Sequence, residues 1–292
     1  MRRVSVRAAA KINLHLGVGG ARADGFHPLD TVYQAISLHD EVTVERAAGW
    51  TLEMTCADYV DPADIPLDDS NLVSRAAVLL GGRGAAVSIR KRIPVAGGMA
   101  GGSADAAAAL VALDRLWQAG TPSHGMAELA AELGSDVPFA LVGGTARGTG
   151  RGEVVTPVED PGAWWWVVVP AAIGLSTPEV YRRFDELSPD AGDPTPSDAV
   201  LRALTSADPE LLAQALHNDL QQAALDLRPE LADLLAAGEE AGALRGMVSG
   251  SGPTCVFLCA AETTAEVVAE QLRASYGVVL TARGPVQGAI DS

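Results

Sequence analysis

Alternating apolar and polar positions dominate the first 95 residues, with the period typical of half-buried strands. Between the first two alternating segments, Asp24-Gly25 is a strong signal for a hairpin turn. The Asp- and Pro-rich stretch over 56–69 indicates a loop. Strands are therefore predicted over residues 4–18, 31–38, 41–46 and 85–93.

Helical spacing replaces this alternation in three segments of the same half. Ser70 and Ser103 are expected to cap the first two helices, and the second is rich in alanine. Residues 144–153 read as a glycine-rich turn with a strand on each side. Helices are predicted over residues 70–80, 103–118 and 124–133.

Beyond residue 157, short strands and helices are mixed without the strict order of a doubly wound sheet. Strands are predicted over 163–170, on both sides of the turn at 249–253, and over 277–283. The three tryptophans of the first of these should be buried or lie at an interface. An exposed loop is predicted over 185–198, and helices over 198–206, 208–217, 229–241 and 262–275. The pattern favours an α+β fold with two domains, residues 1–156 and 157–292.

Composition excludes several classes of partner. The 292 residues carry a net charge of −16, which argues against nucleic acid or an anionic membrane surface as a partner.

The sequence has neither a long apolar run nor the apolar core of a secretory signal, so a cytoplasmic protein is expected. Cys255 and Cys259 share one face of a predicted strand and read as reduced core thiols. Monomer and homodimer both remain open.

A glycine-rich segment between a strand and a helix is the strongest candidate for a phosphate-binding site. Its glycines leave the backbone free to bend around a ligand, and the start of the helix attracts anions. A site built from backbone amides suits an acidic chain. The segment lacks the lysine of a P-loop and does not match the GxGxxG fingerprint. It consists of Pro94, Val95, Ala96, Gly97, Gly98, Met99, Ala100, Gly101, Gly102, Ser103 and Ala104.

Among the 21 Lys and Arg residues there are two lysines, Lys11 and Lys91. Lysine offers a compact point charge that arginine does not. The small residues before Lys11 suit close packing inside a cleft. The neighbours of Lys91, which are Arg90 and Arg92, make a solvated basic strand the simpler interpretation there.

Asp136 lies between a glycine turn and Pro138, and this proline disfavours a helix at Val137. The residues alone support a catalytic carboxylate and a helix-capping aspartate equally. Phe26 beside His27 suits a nucleobase, through stacking on one ring and hydrogen bonding to the other. The other four histidines are interpreted as residues satisfied by water.

Three segments resemble, in the same order, the motifs of the kinase superfamily that includes galactokinase, homoserine kinase and mevalonate kinase. They are AKINL (10–14), the glycine-rich segment and VSGSGPT (248–254). Within that superfamily, the chain most resembles the 4-diphosphocytidyl-2-C-methyl-D-erythritol kinases of the non-mevalonate isoprenoid pathway. The segments that carry this resemblance are residues 8–42, 68–77, 132–141, 144–153 and 175–181.

The resemblance implies an N-terminal mixed-sheet domain, a C-terminal ferredoxin-like domain and an active site between them. It also implies that ATP, with Mg²⁺, phosphorylates a tertiary hydroxyl of the methylerythritol unit. Asp136 would receive the hydroxyl proton as the P–O bond forms, and Lys11 would be its cationic partner. Phe26, where the family commonly has tyrosine, would enclose the cytosine with His27 and Tyr181. The remaining implied contacts are Asn13 with the acceptor, Asn71 with adenine, and Ser251 and Gly252 with phosphates. Kinases bind Mg²⁺ with few protein ligands, and Ser103 is a candidate contact, either direct or through water.

Two alternatives stay open at this point. The first is another kinase of the superfamily, of the homoserine or mevalonate type, and the Phe26–His27 pair argues against it. The second is a non-catalytic nucleotide-binding regulator, and the presence of both Lys11 and Asp136 argues against that.

Overall fold

The computed structural model describes residues 3–95, 97–171 and 174–291. A long antiparallel pair, β1 and β2, forms the centre of the first sheet. Strand β1 is long because it continues for seven residues beyond Lys11. The strands of this sheet are β1 (Arg3–Val18), β2 (Leu29–Arg46), β3 (Trp50–Cys56), β4 (Ala85–Lys91), β5 (Thr145–Gly150), β6 (Val154–Pro157), β8 (His217–Asn218) and β12 (Ile290–Asp291). Their order is β12-β1-β2-β4-β3, with β5 and β6 paired beside the other half of β2, and β8 beside β1.

The second sheet contains β7 (Trp164–Val169), β9 (Arg245–Val248), β10 (Cys255–Cys259) and β11 (Leu280–Gly284), in the order β11-β7-β10-β9. All its neighbours are antiparallel. Numbered within this sheet, the strand order is 4-1-3-2, which is the ferredoxin-like order that the family resemblance implies. The two sheets separate after β6, and this supports a domain boundary near residue 157, as we propose. The chain nevertheless returns to the first sheet with β8 and β12.

Helices cover both sheets. Alanines at 104 and 106–109 are buried around the second helix, which packs closely on β1 and β2 because these side chains are small. Among the described residues, no helix is long and apolar enough to cross a membrane. The helices are α1 (Leu72–Leu79), α2 (Gly101–Trp117), α3 (Ser123–Leu133), α4 (Val137–Val142), α5 (Thr177–Leu187), α6 (Asp198–Ser206), α7 (Pro209–Ala215), α8 (Gln221–Leu227), α9 (Glu230–Glu240) and α10 (Glu262–Arg273).

The predicted helix caps are wrong in both cases. Asn71 caps α1, because its side chain accepts the Val73 amide, one residue later than the predicted cap Ser70. α2 has no side-chain cap: the chain turns into it through Ala100 in the left-handed region (φ 56°), so Ser103 lies inside the first turn.

Several predicted boundaries also differ. A helix begins at Val137 despite Pro138, because proline is tolerated in the first helical turn. The glycine-rich stretch 144–153 contains strand β5 rather than a single turn. The segments 31–38 and 41–46 join into one strand, and the hairpin turn at Asp24-Gly25 is part of a longer connection. Helices α5 and α8 were not predicted from the sequence.

The interpretation of Lys91 as a solvated strand residue is wrong. Its side chain is 2% exposed and donates to Asp40 Oδ2 at 2.5 Å and to Asp105 Oδ2 at 2.7 Å. Burial alone would lower the pKa of the Lys91 ammonium, but the two carboxylates raise it above its ordinary value. Burial raises the pKa of the Asp105 carboxyl well above its usual range, against the attraction of Lys91. We call Lys91, Asp40 and Asp105 the buried triad.

The interpretation of the histidines fails for His15, whereas the interpretation of the two C-terminal cysteines holds. His15 is buried in β1 and contacts the Thr195 carbonyl at 2.9 Å, so it is not a loop residue satisfied by water. Burial lowers its pKa. Cys255 and Cys259 are buried free thiols, and burial raises the pKa of each to about 12, which confirms their interpretation as core residues. Trp164 and Trp166 are buried too, and Trp166 donates to Gln34 of the first sheet.

Asp30 ties the two halves of the chain together. Its carboxylate accepts two hydrogen bonds from Arg147 at 2.8 Å, and two more from the hydroxyl and backbone N–H of Ser197. Burial opposes the charged form of Asp30, but these donors hold the carboxyl pKa below its ordinary value.

Asp30→Asn is expected to lower the free energy of unfolding at pH 7 by about 1.5–3 kcal/mol, the range for hydrogen bonds to a charged group. Because the folded-state pKa is depressed, the contribution is complete above the unfolded pKa of 3.8 and is lost as pH falls through the folded value. Urea denaturation should show a constant difference between the two proteins from pH 7 down to about pH 4, and convergence only at lower pH. A similar loss for the exposed-loop variant Asp190→Asn would contradict the assignment.

Candidate active site

A cavity of about 360 Å³ lies between the two sheets and collects most of the predicted site residues. The start of α2 and the glycine-rich segment form one wall, β1 and β2 form the floor, and the segment before β10 forms the opposite wall. Its lining includes Lys11, Asn13, Tyr33, Pro94, Gly97, Gly98, Ala100, Gly101, Gly102, Asp136, Arg151, Thr177, Tyr181, Gly250 and Ser251.

Lys11 and Asn13 point into this cavity from one face of β1, because alternate residues of a strand share a face. Irregularities in the β1–β2 register after Ala9 and after Asn13 flank them on both sides. Lys11 Nζ donates to Asn13 Oδ1 at 2.7 Å and lies 5.5 Å from the centre of the Tyr33 ring. Asn13 in turn donates to Thr31 Oγ1 at 2.8 Å. The Lys11 side chain is 7% exposed, and these contacts hold its ammonium group in place.

Asp136 occupies the N-cap position of α4, but its side chain makes no capping hydrogen bond. Instead Oδ2 lies 3.9 Å from Lys11 Nζ. Burial raises the pKa of the Tyr33 phenol well above its ordinary value, and the charge of Asp136 raises it further. Tyr33 therefore stays protonated. The capping interpretation of Asp136 is not realised.

The glycine-rich segment, which we call the cradle, packs against the chain that precedes β10. Gly98 has φ 76°, and a Cβ there would lie 2.4 Å from the Ser249 carbonyl oxygen, so no other residue fits. The Lys11 backbone N–H donates to the Met99 carbonyl, which joins the cradle to β1. Ala104 is buried inside α2, Ser103 is half-buried, and Ala96 lies outside the described residues.

A second cavity, of about 450 Å³, adjoins the first and shares Leu29, Arg151, Thr177 and Tyr181 with it. Phe26 and His27 line it. Phe26 is half-exposed, whereas His27 is buried and lies 2.8 Å from Asp185 Oδ1. The His27 and Tyr181 rings are 4.8 Å apart. Burial raises the pKa of the Tyr181 phenol. Flat aromatic surfaces and a polar edge thus surround a cavity that suits a planar base.

Asn71 lies at a third, smaller cavity of about 190 Å³ next to the cradle. Its side chain is already used locally: Oδ1 accepts the Val73 amide and Nδ2 donates to the Pro66 carbonyl. Val95 and the buried Lys91 also line this cavity, so it extends the cradle away from Lys11 and Asp136.

Ser251 and Gly252 have different roles in the turn before β10. Ser251 lines the first cavity and its hydroxyl lies 2.8 Å from that of Thr177. Gly252 is not among the described residues that line the cavity. It donates to the Ser249 carbonyl, and a Cβ on it would lie 2.8 Å from Val248 Cγ1, so it makes the turn that presents Ser251.

Sequence reasoning missed three residues of the site: Tyr33, Thr177 and Arg151. Tyr33 is directly opposite Asn13 in the β1–β2 pair, so strand register could have found it once the pairing was known. Thr177 begins α5, a helix that was not predicted. Arg151 carried no signal beyond its position between two glycines.

Comparison with known proteins decides the family. A model described as the GHMP kinase N-terminal domain matches residues 71–144, and one described as the GHMP kinase C-terminal domain matches residues 200–278. A 4-diphosphocytidyl-2-C-methyl-D-erythritol kinase of Nocardioides sp. is 61% identical over 97% of this chain and 98% of its own length. That of Thermobifida fusca is 53% identical, over 98% and 97%. The chain belongs to the 4-diphosphocytidyl-2-C-methyl-D-erythritol kinase family of GHMP kinases.

Solved structures agree with this assignment. A crystal structure titled as 4-(cytidine 5'-diphospho)-2C-methyl-D-erythritol kinase is 33% identical, with a TM-score of 0.78, and covers 96% of this chain and 98% of that one. The L. major mevalonate kinase, at 17% identity and a TM-score of 0.73, covers 99% and 96% and shares the fold alone. The α+β GHMP kinase fold that the sequence predicted is therefore confirmed.

Proposed function

We propose that this GHMP kinase transfers the γ-phosphoryl group of ATP to the tertiary 2-hydroxyl of 4-diphosphocytidyl-2-C-methyl-D-erythritol. One observation carries the proposal. The Lys11–Asp136 pair and the phosphate cradle share one cavity, and that cavity opens into the pocket formed by Phe26, His27 and Tyr181. Donor, reacting groups and acceptor base can thus occupy the cleft together.

The reaction needs positioning more than prior ionisation, because a tertiary hydroxyl is too weakly acidic to lose its proton first. As its oxygen bonds to the γ-phosphorus, the bond from phosphorus to the leaving ADP oxygen breaks, and the hydroxyl proton passes to the Asp136 carboxylate. Lys11 stabilises negative charge on the transferring group. Asn13 fixes the lysine through the 2.7 Å contact with Nζ.

ATP is held mostly by backbone in this proposal. The amides of the glycine-rich segment and the start of α2 bind the phosphates, so the acidic chain needs few basic side chains there. Adenine would occupy the third cavity, beside Asn71. Because both Asn71 polar groups bond to the protein, that residue would shape the pocket rather than read the base.

Mg²⁺ neutralises nucleotide phosphate charge when it is bound. In the parts of the chain that the structure describes, no group of three or more His, Cys, Asp or Glu side chains could hold a metal. The cradle still fits Mg²⁺, since this ion prefers phosphate and water oxygens and needs few protein ligands. Ser103, in the first turn of α2, is the proposed protein contact, either direct or through water.

One assay distinguishes the candidate reactions. Purified protein is given ATP with 4-diphosphocytidyl-2-C-methyl-D-erythritol, homoserine or mevalonate, and ADP release is followed. Phosphorylation of the cytidyl compound alone supports the proposal. Turnover of homoserine or mevalonate without turnover of the cytidyl compound would refute the proposal, and ATP binding without any turnover would favour a regulator.

A cytoplasmic location is also part of the proposal, because the buried free thiols fit a reducing compartment.

Phe26→Ala is expected to raise KM for the cytidyl substrate by about 10-fold, the order of one lost base-stacking contact. KM for ATP should not change, because Phe26 lines the second cavity and not the first. Phe26→Tyr keeps the ring and serves as the control, with KM near that of the unmodified protein. Equal losses for both substrates would contradict the proposed division of the cleft.

A further inference from the structure

Arg151 lies where the two cavities meet. It is in the tight turn between β5 and β6, held by Gly150 (φ 73°) and Gly152 (φ 99°). Gly150 pairs with Leu29 at the start of β2, so the turn lies beside the segment that carries Phe26 and His27. The side chain lines both the first and the second cavity.

Two contacts orient the Arg151 side chain. Its guanidinium lies over the Phe26 ring, 4.9 Å from the centre, and its Nε is 3.7 Å from Glu153 Oε1. The Arg151 backbone N–H also donates to Glu153 Oε2. The side chain remains 39% exposed, and a guanidinium has five N–H donors, so most of its donor capacity stays available to a ligand.

Charge in the first cavity is scarce. Among its described lining residues, Lys11 and Arg151 carry the cationic side chains, and Asp136 carries the carboxylate. Lys11 already serves Asn13 and Asp136 at the far end of the cavity. A diphosphate bound between the two cavities, in a chain of net charge −16, needs a further cation.

We propose that Arg151 binds the diphosphate of the acceptor substrate and selects for nucleoside diphosphate compounds over uncharged nucleosides. This inference rests on the proposed function and deepens it. The planar fork of arginine matches two phosphate oxygens, and stacking on Phe26 sets its plane before the substrate arrives. The same residue then links base recognition in the second cavity to phosphate recognition in the first.

The test compares ligands that differ in phosphate alone. Calorimetric titration measures binding of cytidine and of CDP to the unmodified protein and to Arg151→Gln. The expected result is a loss of CDP affinity of about 10- to 100-fold, the range of charge-assisted hydrogen bonds, with cytidine affinity nearly unchanged. In turnover, KM for the cytidyl substrate should rise and KM for ATP should not. Arg151→Lys should recover part of the loss.

Arg182→Gln is the matched control. Arg182 is on α5 beside Tyr181 and lines the second cavity but not the first. Its side chain is 70% exposed and pairs with Glu179. The control removes the same charge near the site and should keep the CDP-to-cytidine ratio. An equal loss of cytidine and CDP in Arg151→Gln would overturn the inference, because the arginine would then act through Phe26. A similar change of the ratio in Arg182→Gln would overturn it too.

The two proposals fail in different ways. If the unmodified protein does not phosphorylate the cytidyl substrate, the proposed function fails on the turnover assay. The ligand titration still measures the phosphate-dependent part of binding, and an unchanged CDP-to-cytidine ratio in Arg151→Gln would refute the role of Arg151 by itself.

Discussion

Asp136→Asn is expected to lower kcat by about 100- to 10,000-fold, the range for loss of a positioned general base. The amide is nearly isosteric with the carboxylate but cannot accept the hydroxyl proton. ATP should bind as before, because the cradle is built from other elements. Because Asp136 makes no capping hydrogen bond, the free energy of unfolding should change little. Steady-state turnover, nucleotide titration and urea denaturation together check these three statements.

Asp208 provides the control for this variant. It occupies the equivalent position before α7, but its side chain does accept the amides of Glu210 and Leu211. Asp208→Ala should therefore lower stability by about 1 kcal/mol and leave turnover intact. Near-normal turnover in Asp136→Asn would remove Asp136 from the mechanism. A large loss of stability in that variant would show that its role is structural.

Lys91→Met is expected to destabilise the fold by about 3–5 kcal/mol, the cost of leaving buried charge without its partner. Asp40 would keep the backbone N–H groups of Arg92 and Ile93, but Asp105 would lose the ammonium that neutralises it. Urea denaturation gives the magnitude. Adding Asp105→Asn to Lys91→Met should recover part of the loss, because the uncompensated carboxyl is then removed.

Lys11→Met is the matched control, since it alters the other lysine of the chain. Lys11 lines the reaction cavity, so its loss should lower kcat by about 100- to 1,000-fold with a smaller effect on stability. Full stability in Lys91→Met would mean that the buried triad contributes little to the fold. A purely structural effect of Lys11→Met would contradict its proposed role beside Asp136.

The residues that the sequence predicted well carry local signals. The glycine-rich segment lies between β4 and α2, so its position before a helix N-terminus followed from short-range rules. Lys11 and Asp136 needed more, because 125 positions separate residues that the structure brings within 3.9 Å. Their pairing came from the family resemblance, not from periodicity.

Lys91 shows why neighbouring residues can mislead. Its exposed neighbours Arg90 and Arg92 suggested a solvated strand, but alternation places Lys91 on the other face, with Val87 and Ile89. That face is buried. Strand period alone would have predicted a buried lysine, and a buried lysine needs carboxylate partners. The partners, Asp40 and Asp105, could not be identified without knowing which strand and helix pack against β4.

The wrong caps have a different origin. Asn71 and Ser70 are adjacent and both favour N-caps, so sequence could not choose between them. At α2, the close contact of Gly98 with the Ser249 carbonyl requires an unusual backbone path, and the chain enters the helix through Ala100 in the left-handed region. A tertiary contact thereby overrode the local preference for Ser103.

In the proposed function, main chain holds the donor nucleotide and side chains hold the acceptor, and this division has an evolutionary consequence. Amides stay in place when side chains change, so the phosphate cradle constrains shape more than residue chemistry. Phe26 and His27 lie outside it, in the second cavity, and Arg151 lies where the two cavities meet. A lineage could therefore exchange its acceptor through few substitutions around that cavity while it kept one energy source. An inhibitor that fills the second cavity would, for the same reason, discriminate between kinases that all bind ATP alike.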